Sequence, residues 1–244
     1  MKALLILLTL YNFLLSIDYT NNYNEEMVLN KDSASYYMNR ASTLYYKGNI
    51  KESRQMYLKF LTFEQPKKIT EVVLGKRLFF VPDSFIVPLK LEKDEFIIKP
   101  IKESHAELDY EAVMGSVEHL TGVLGRKDWP GNLTLEEDRY ALKGHEWEFE
   151  KRTGFVYTVL NKSETKVMGC VYIYPSRLDD FNSEIVMWIT EKDYKRGIDE
   201  VLFNTVDDWI KKEWPFEKVI YPGREIAWGI FFEKLEIQDQ KYIK

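Results

Sequence analysis

The stretch from Ser183 to Lys212 constrains this chain most. A short apolar strand, Ile185-Val186-Met187-Trp188-Ile189, runs into the basic turn Lys195-Arg196-Gly197 and on into an amphipathic helix. A strand, a glycine turn and a helix N-terminus in succession leave unpaired backbone N–H groups and the positive end of the helix dipole aimed at one spot. Such a spot suits an anion, and in particular a phosphate-bearing cofactor. The helix places Val201, Leu202, Thr205, Val206, Trp209 and Ile210 on one stripe, the face that would cover a sheet.

The rest of the composition supports a packed core and excludes several partners. With 244 residues, 45% of them hydrophobic and 15% aromatic, the chain has ample apolar surface to bury. Its net charge of −5, with cations interspersed among anions, supplies no basic field for a nucleic-acid backbone, so nucleic acid is not expected as a partner. One cysteine, Cys170, rules out an internal disulfide and a cysteine zinc cage, and its place in an apolar strand reads as a buried small hydrophobe. His105, His119 and His145 lack ligand spacing, so no metal is expected. No nucleophile elbow, phosphate-binding loop of the Walker kind or dinucleotide fingerprint occurs.

Four regions follow one another. Residues 1–20 form an apolar leader or N-terminal helix: Lys2 precedes an apolar run over residues 3–17 that has the make-up of a secretory signal but falls short of the roughly 20 residues of a spanning helix. A signal or anchor, a buried helix and an overextended start are all open readings, and membrane contact through residues 3–17 goes with the first. Residues 32–66 carry helical periodicity broken at Gly48-Asn49. The spacing of Tyr37, Ala41, Gly48, Ser53, Tyr57 and Pro66 resembles one tetratricopeptide unit. A lone repeat has no neighbour to bury its face, which favours packing over peptide capture. Residues 67–91, with Pro82 and Pro88 and no clear period, read as linker plus a short strand.

From residue 92 to 244 the pattern is regular. Glu95 to Ile101 is strand-like. Ser104 with Glu107 and Thr134 with Glu137 are capping boxes, the first opening a helix with Ala106, Tyr110, Val113, Met114 and Val117 inward, the second one carrying Ala141, Leu142, His145 and Phe149. Strands Phe155–Leu160 and Val167–Tyr174 flank a polar hairpin. After the strand at Ile185 and the amphipathic helix comes a strand over Glu217–Tyr221, a helix from Arg224 to Leu235 and a terminal strand. The order βααβββαβα predicts an α+β domain, a mixed sheet with helices on both faces, preceded by the helical hairpin.

Over about residues 91–237 this order, together with His105-Ala-Glu-Leu-Asp-Tyr-Glu-Ala-Val-Met114, Tyr157-Thr-Val-Leu160, Gly169-Cys-Val-Tyr-Ile-Tyr-Pro175 and Tyr221-Pro-Gly-Arg-Glu-Ile226, resembles the GNAT superfamily of acyl-CoA N-acyltransferases. The resemblance implies a V-shaped opening between two neighbouring strands. There the pantetheine arm of acetyl-CoA would bond the backbone along Met187, Trp188, Ile189 and Thr190, and the pyrophosphate would meet Lys195, Arg196, Gly197 and Ile198. The loop departs from the family pattern, since Tyr194 stands first where a basic or Gln residue is usual and Asp199 last where Gly or Ala is usual. Asp199 and Glu200 would repel a pyrophosphate by roughly 1–4 kcal/mol per close pair, although acidic groups in a first helical turn also suit the dipole.

What the resemblance implies about chemistry is the attack of an unidentified amine on the acetyl thioester, without metal. Glu184 is the candidate base. Phe231 and Phe232 occupy the neighbourhood of the family's usual tyrosine acid, leaving Tyr221 and Tyr194 as substitutes by proximity, with Tyr221 the stronger candidate. Arg224 would bind an acidic acceptor group or pair with neighbours of Glu225. Two functions stay open: an acetyl-CoA-dependent N-acetyltransferase, and a catalytically silent binding module of the same fold with a helical interaction segment. The co-substrate implies the cytoplasm; the leader implies membrane association or export.

Overall fold

A computed structural model describes residues 33–63 and 68–242. The leader and its three readings lie outside the described residues. The chain divides into two compact units, with the boundary at Lys67/Lys68.

In the first unit the expected hairpin is present. Helix α1 (Ala34–Tyr46) is capped by Ser33, whose hydroxyl accepts from the Tyr36 amide at 3.1 Å, and helix α2 (Ile50–Phe60) follows a turn in which Gly48 has φ +75°. Ser53 is small enough to bring the two backbones close, and its hydroxyl donates to the Ala41 carbonyl at 2.6 Å. Ala41, Leu44, Tyr45, Tyr57 and Phe60 are buried.

The second unit is the mixed α+β domain that the element order predicts. It opens with helix α3 (Ile69–Leu78), which occupies part of the stretch read above as linker. A strap then leads to β1 (Leu91–Glu92) and β2 (Ile97–Pro100). Helices α4 (Ala106–Met114), α5 (Val117–Leu120) and α6 (Leu135–Glu150) come next. Strands β3 (Phe155–Leu160), β4 (Val167–Pro175) and β5 (Ser183–Ile189) form the centre of the sheet. The short α7 (Glu191–Tyr194), the long α8 (Ile198–Glu213), β6 (Val219–Ile220) and α9 (Trp228–Asp239) complete the unit.

The six strands lie in sequence order, antiparallel from β1 to β5 and parallel between β5 and β6. Side-chain alternation splits the core into two layers. Phe155, Tyr157, Val171, Ile173, Ile185, Met187 and Ile189 meet Ile198, Leu202, Val206, Trp209 and Ile210 of α8 on one face. Val156, Leu160, Cys170 and Trp188 meet Ala106, Val113 and Leu142 of α4 and α6 on the other. Phe231 and Leu235 of α9 pack on Ile220 and Leu178.

Local chemistry explains where expectation and structure differ. The Thr134 box forms: its hydroxyl accepts from the Glu137 amide at 3.2 Å and the Glu137 carboxylate accepts from the Thr134 amide at 2.8 Å. The Ser104 box does not, because residues 103–105 wind into a 3₁₀ turn and Glu107 pairs with Arg139 instead. Ala141 is exposed, and Asp138 and Glu148 take buried places on α6. The last helix starts at Trp228, after a turn over 221–227, and runs on through a 3₁₀ turn at Gln240–Tyr242 where a strand was expected.

Candidate active site

The sheet splits between β5 and β6. They pair only through Ser183 with Val219 and Glu184 with Ile220, after which β6 ends while β5 continues to Ile189. Past Ile220 the chain curls away, with the Arg224 and Glu225 amides both donating to the Tyr221 carbonyl at 3.1 Å and the Gly223 amide to Ile226 at 2.8 Å. The far half of β5 therefore has β4 on one side and no strand on the other.

Which backbone groups face that opening follows from the ladder. The Thr190 amide donates to Met168 at 2.7 Å and the Ser176 amide to Asn182 at 3.2 Å, so even-numbered residues of β5 bond to β4. Met187 and Ile189 then turn their N–H and C=O groups to the wedge. Trp188 and Thr190 spend theirs on β4, which removes two of the four backbone positions expected to meet a pantetheine arm. The Trp188 indole instead donates to the Tyr172 hydroxyl at 3.2 Å on the α6 face.

At the C-terminal end of β5 the turn has the expected form. Thr190 caps α7, Gly197 takes φ +77° and no side chain caps α8, which starts at Ile198. Lys195 pairs with Glu191 at 2.6 Å and Arg196 with Asp193 at 2.7 Å, both cations being largely exposed. The Asp199 carboxylate is not folded onto the α8 amides. Arg224, reaching from beyond β6, takes it in a two-pronged grip, Nη1 to Oδ2 at 2.9 Å and Nη2 to Oδ1 at 2.7 Å, with its guanidinium 5.3 Å from the Phe203 ring. Of the two carboxylates expected to repel a pyrophosphate, that of Asp199 is thus neutralised.

Glu184 and Tyr221 are not brought together. Glu184 stands at the vertex of the wedge, but its Oε2 accepts from the Arg177 amide at 2.9 Å and its Oε1 from Arg177 Nε at 2.8 Å, and the side chain is buried. Tyr221 lies on the opposite, α8 face, edge-on to Phe203, and its hydroxyl donates to Asp207 at 3.3 Å. Burial and the Asp207 charge push its phenol well above the usual range. Tyr194 is half exposed, and its ring lies tilted against that of His119, 4.7 Å between centroids.

Two features escaped the sequence. Trp228 plugs the space between Gly125 and Gly223, donating to the Val123 carbonyl at 3.0 Å, so the loop before α6 rests on the chain beyond β6. Trp129 of that loop sits 6.2 Å from Trp188. On the same face a polar seam runs between helices α4 and α6 and strand β4. The buried Asp109 carboxyl accepts from the Cys170 thiol at 3.3 Å, and burial, reinforced by the nearby Asp138, raises it to about 8. Asp138 is itself raised to about 6 by burial. Only a helix laid on a sheet turns these carboxylates inward. A separate cleft of about 380 Å³ lies between α4 and the ends of β4 and β5, with Glu111, Ser116, Lys166, Thr190 and Arg196 in its walls.

No protein-family profile and no curated protein sequence matches the chain. Among solved structures it is similar to the ribosomal-protein-S5-alanine acetyltransferase from Vibrio fischeri, with 20% identity over 55% of this chain and 73% of that one and a TM-score of 0.45. It is also similar to RimL, a ribosomal L7/L12 α-N-protein acetyltransferase, with 18% identity over 58% of this chain and 75% of that one and a TM-score of 0.44. At these values the likeness assigns neither an activity nor a residue; the wedge and its turn carry the functional reading.

Proposed function

We propose that the chain is a GNAT-type N-acetyltransferase that takes acetyl-CoA into the wedge between β5 and β6. The observation that carries this reading is the early parting of the two strands, which leaves the Met187 and Ile189 backbone groups facing a gap that leads to the uncapped first turn of α8. An extended amide-bearing arm would complete the β5 edge as a strand does, and a diphosphate would lie over the Gly197-Ile198 amides with Lys195 and Arg196 beside it. Lys195 is held only by an exposed ion pair, worth little against a doubly charged ligand, and Arg196 keeps its guanidinium largely exposed although its partner Asp193 is buried. When bound, acetyl-CoA supplies an activated acyl group, and the chain's own task is to hold it and to take a proton from an amine.

The amine acceptor belongs to this proposal, as does a cytoplasmic location. Among the described residues no helix is long and apolar enough to cross a membrane. The tetratricopeptide reading of the hairpin is likewise a proposal. A second reading, a silent binding module, draws on the engagement of Glu184 by Arg177, which leaves the vertex carboxylate no free oxygen.

Calorimetric titration of the full chain with acetyl-CoA and with desulfo-CoA separates these readings when joined to an assay of thiol release. Binding of both at micromolar concentration with thiol release supports the enzyme; binding alone supports the module. No binding of either below millimolar concentration at low salt removes both.

A further inference from the structure

The polar seam on the α6 face ends in a histidine whose second nitrogen is unused. His145 Nδ1 lies 2.8 Å from the Tyr174 hydroxyl and 3.3 Å from Glu148 Oε2, and the Tyr174 hydroxyl donates to the same Glu148 oxygen at 2.6 Å. A hydroxyl carries one proton. With the Tyr174 proton engaged in the hydrogen bond to Glu148, its oxygen can only accept from His145, so Nδ1 bears a hydrogen and, in the neutral imidazole, Nε2 carries the lone pair. Among the described residues no group bonds that Nε2. The ring stands edge-on to Tyr172, 5.7 Å between centroids, with 24% of its side chain open to solvent.

The surroundings are built for a transient positive charge. Glu148 is buried; burial alone would raise its carboxyl, but Arg77 at 2.6 Å, with His145 and Tyr174, holds it at about 2, so it stays ionised. Asp138, on the same stripe of α6, keeps a buried Oδ2 without a hydrogen-bond partner. The titratable and charged groups facing His145 are thus Glu148 and Asp138 from α6, Tyr172 and Tyr174 from β4, and Arg77 from α3. In register, Tyr172 and Tyr174 stand opposite Val186 and Glu184 of β5, the strand that forms one wall of the wedge.

We propose that His145 Nε2 is the general base of acetyl transfer, with Glu148 and Tyr174 as positioning residues that fix its tautomer. This rests on the acetyltransferase reading and assigns the base to a residue other than Glu184. In the step, the acceptor ammonium gives one proton to Nε2, and the freed amine nitrogen forms a bond to the acetyl carbon. The carbon–sulfur bond breaks, and the leaving thiolate takes the proton still to be lost from the new amide nitrogen. The imidazolium then returns its proton to solvent, to which it is partly open.

The test uses the full chain. Nitrogen-15 spectra of the free protein should show His145 with hydrogen on Nδ1; hydrogen on Nε2 overturns the assignment without reference to activity. His145→Asn preserves a donor near the Nδ1 position and removes the base. With acetyl-CoA and ethylamine or a peptide with a free N-terminus as probe acceptors, kcat for His145→Asn should fall by about 100-fold or more with the KM for acetyl-CoA unchanged, and the acidic limb of the pH–rate profile should vanish. Imidazole added to His145→Gly should restore part of the rate. A rate that falls only as far as folded protein is lost, with the acidic limb retained, overturns the proposal and leaves the acetyltransferase reading intact. Failure of the wild type to bind acetyl-CoA sinks both.

Discussion

Arg224 holds Asp199 through two parallel hydrogen bonds of 2.7 and 2.9 Å, joining the first turn of α8 to the chain beyond β6. The pair makes an otherwise unsuitable acidic residue compatible with an anion at the turn. Arg224→Ala would leave Asp199 facing that anion, and affinity for acetyl-CoA should drop about tenfold, the equivalent of roughly 1.4 kcal/mol. Asp199→Asn should instead raise affinity and steepen its dependence on salt, because a fork of donors is released at the wedge. Titration of both variants checks this, and equal affinities would separate the pair from the binding site.

Glu184 and Arg177 form the other fastening, with the carboxylate buried and 24% of the Arg177 side chain open to solvent. Arg177→Ala strands a buried carboxylate, which should cost about 3–5 kcal/mol, whereas Glu184→Gln keeps an acceptor for the Arg177 amide and should cost less. Urea unfolding of the two single variants and the double variant should show the double to be less damaging than the sum.

Asp109 makes stability depend on pH in an unusual direction. Its folded value, raised to about 8 by burial and by Asp138, exceeds the ordinary 3.8, so between these values the folded chain keeps a proton that the unfolded chain has lost. The stability contributed is complete below about pH 4 and declines as pH rises toward 8. Asp109→Asn should gain stability relative to the wild type as pH climbs from 4 to 8. Thermal unfolding across that range checks it, with a constant difference as the contrary result.

The glycines at the wedge differ in what they permit. Gly197 has open space where a Cβ would stand, so Gly197→Ala pays only for its left-handed backbone, about 1–2 kcal/mol. At Gly223 a Cβ would come within 2.5 Å of the Trp228 indole nitrogen, on top of φ +83°. Gly223→Ala should therefore lower the melting temperature further than Gly197→Ala. It should also disturb Trp228 fluorescence; similar melting temperatures would show Trp228 to be free to move.

Much of the domain was legible from residue order because its elements follow strong local rules. The α8 stripe, the Thr134 cap and the strands at Phe155, Val167 and Ile185 each match a period or a capping pattern that the structure reproduces. Helix α3 was hidden because its buried residues, Leu74, Gly75 and Leu78, make a weak stripe with a glycine in it. The opposite facing of Glu184 and Tyr221 depends on how β6 registers on β5, which only tertiary packing sets. The Asp109, Asp138 and Glu148 carboxylates resemble solvated helix charges until α4 and α6 are laid on the sheet. Asp199 looked like an obstacle because its partner lies 25 residues away in sequence.

Amide hydrogen exchange of the full chain with and without acetyl-CoA tests the wedge most directly. Bound acetyl-CoA should slow exchange at Met187 and Ile189 and at the first-turn amides of Ile198, Asp199 and Glu200, with Trp188 and Thr190, already bonded to β4, unchanged. Saturating acetyl-CoA that leaves Met187, Ile189 and Ile198 exchanging as in the free chain would contradict it.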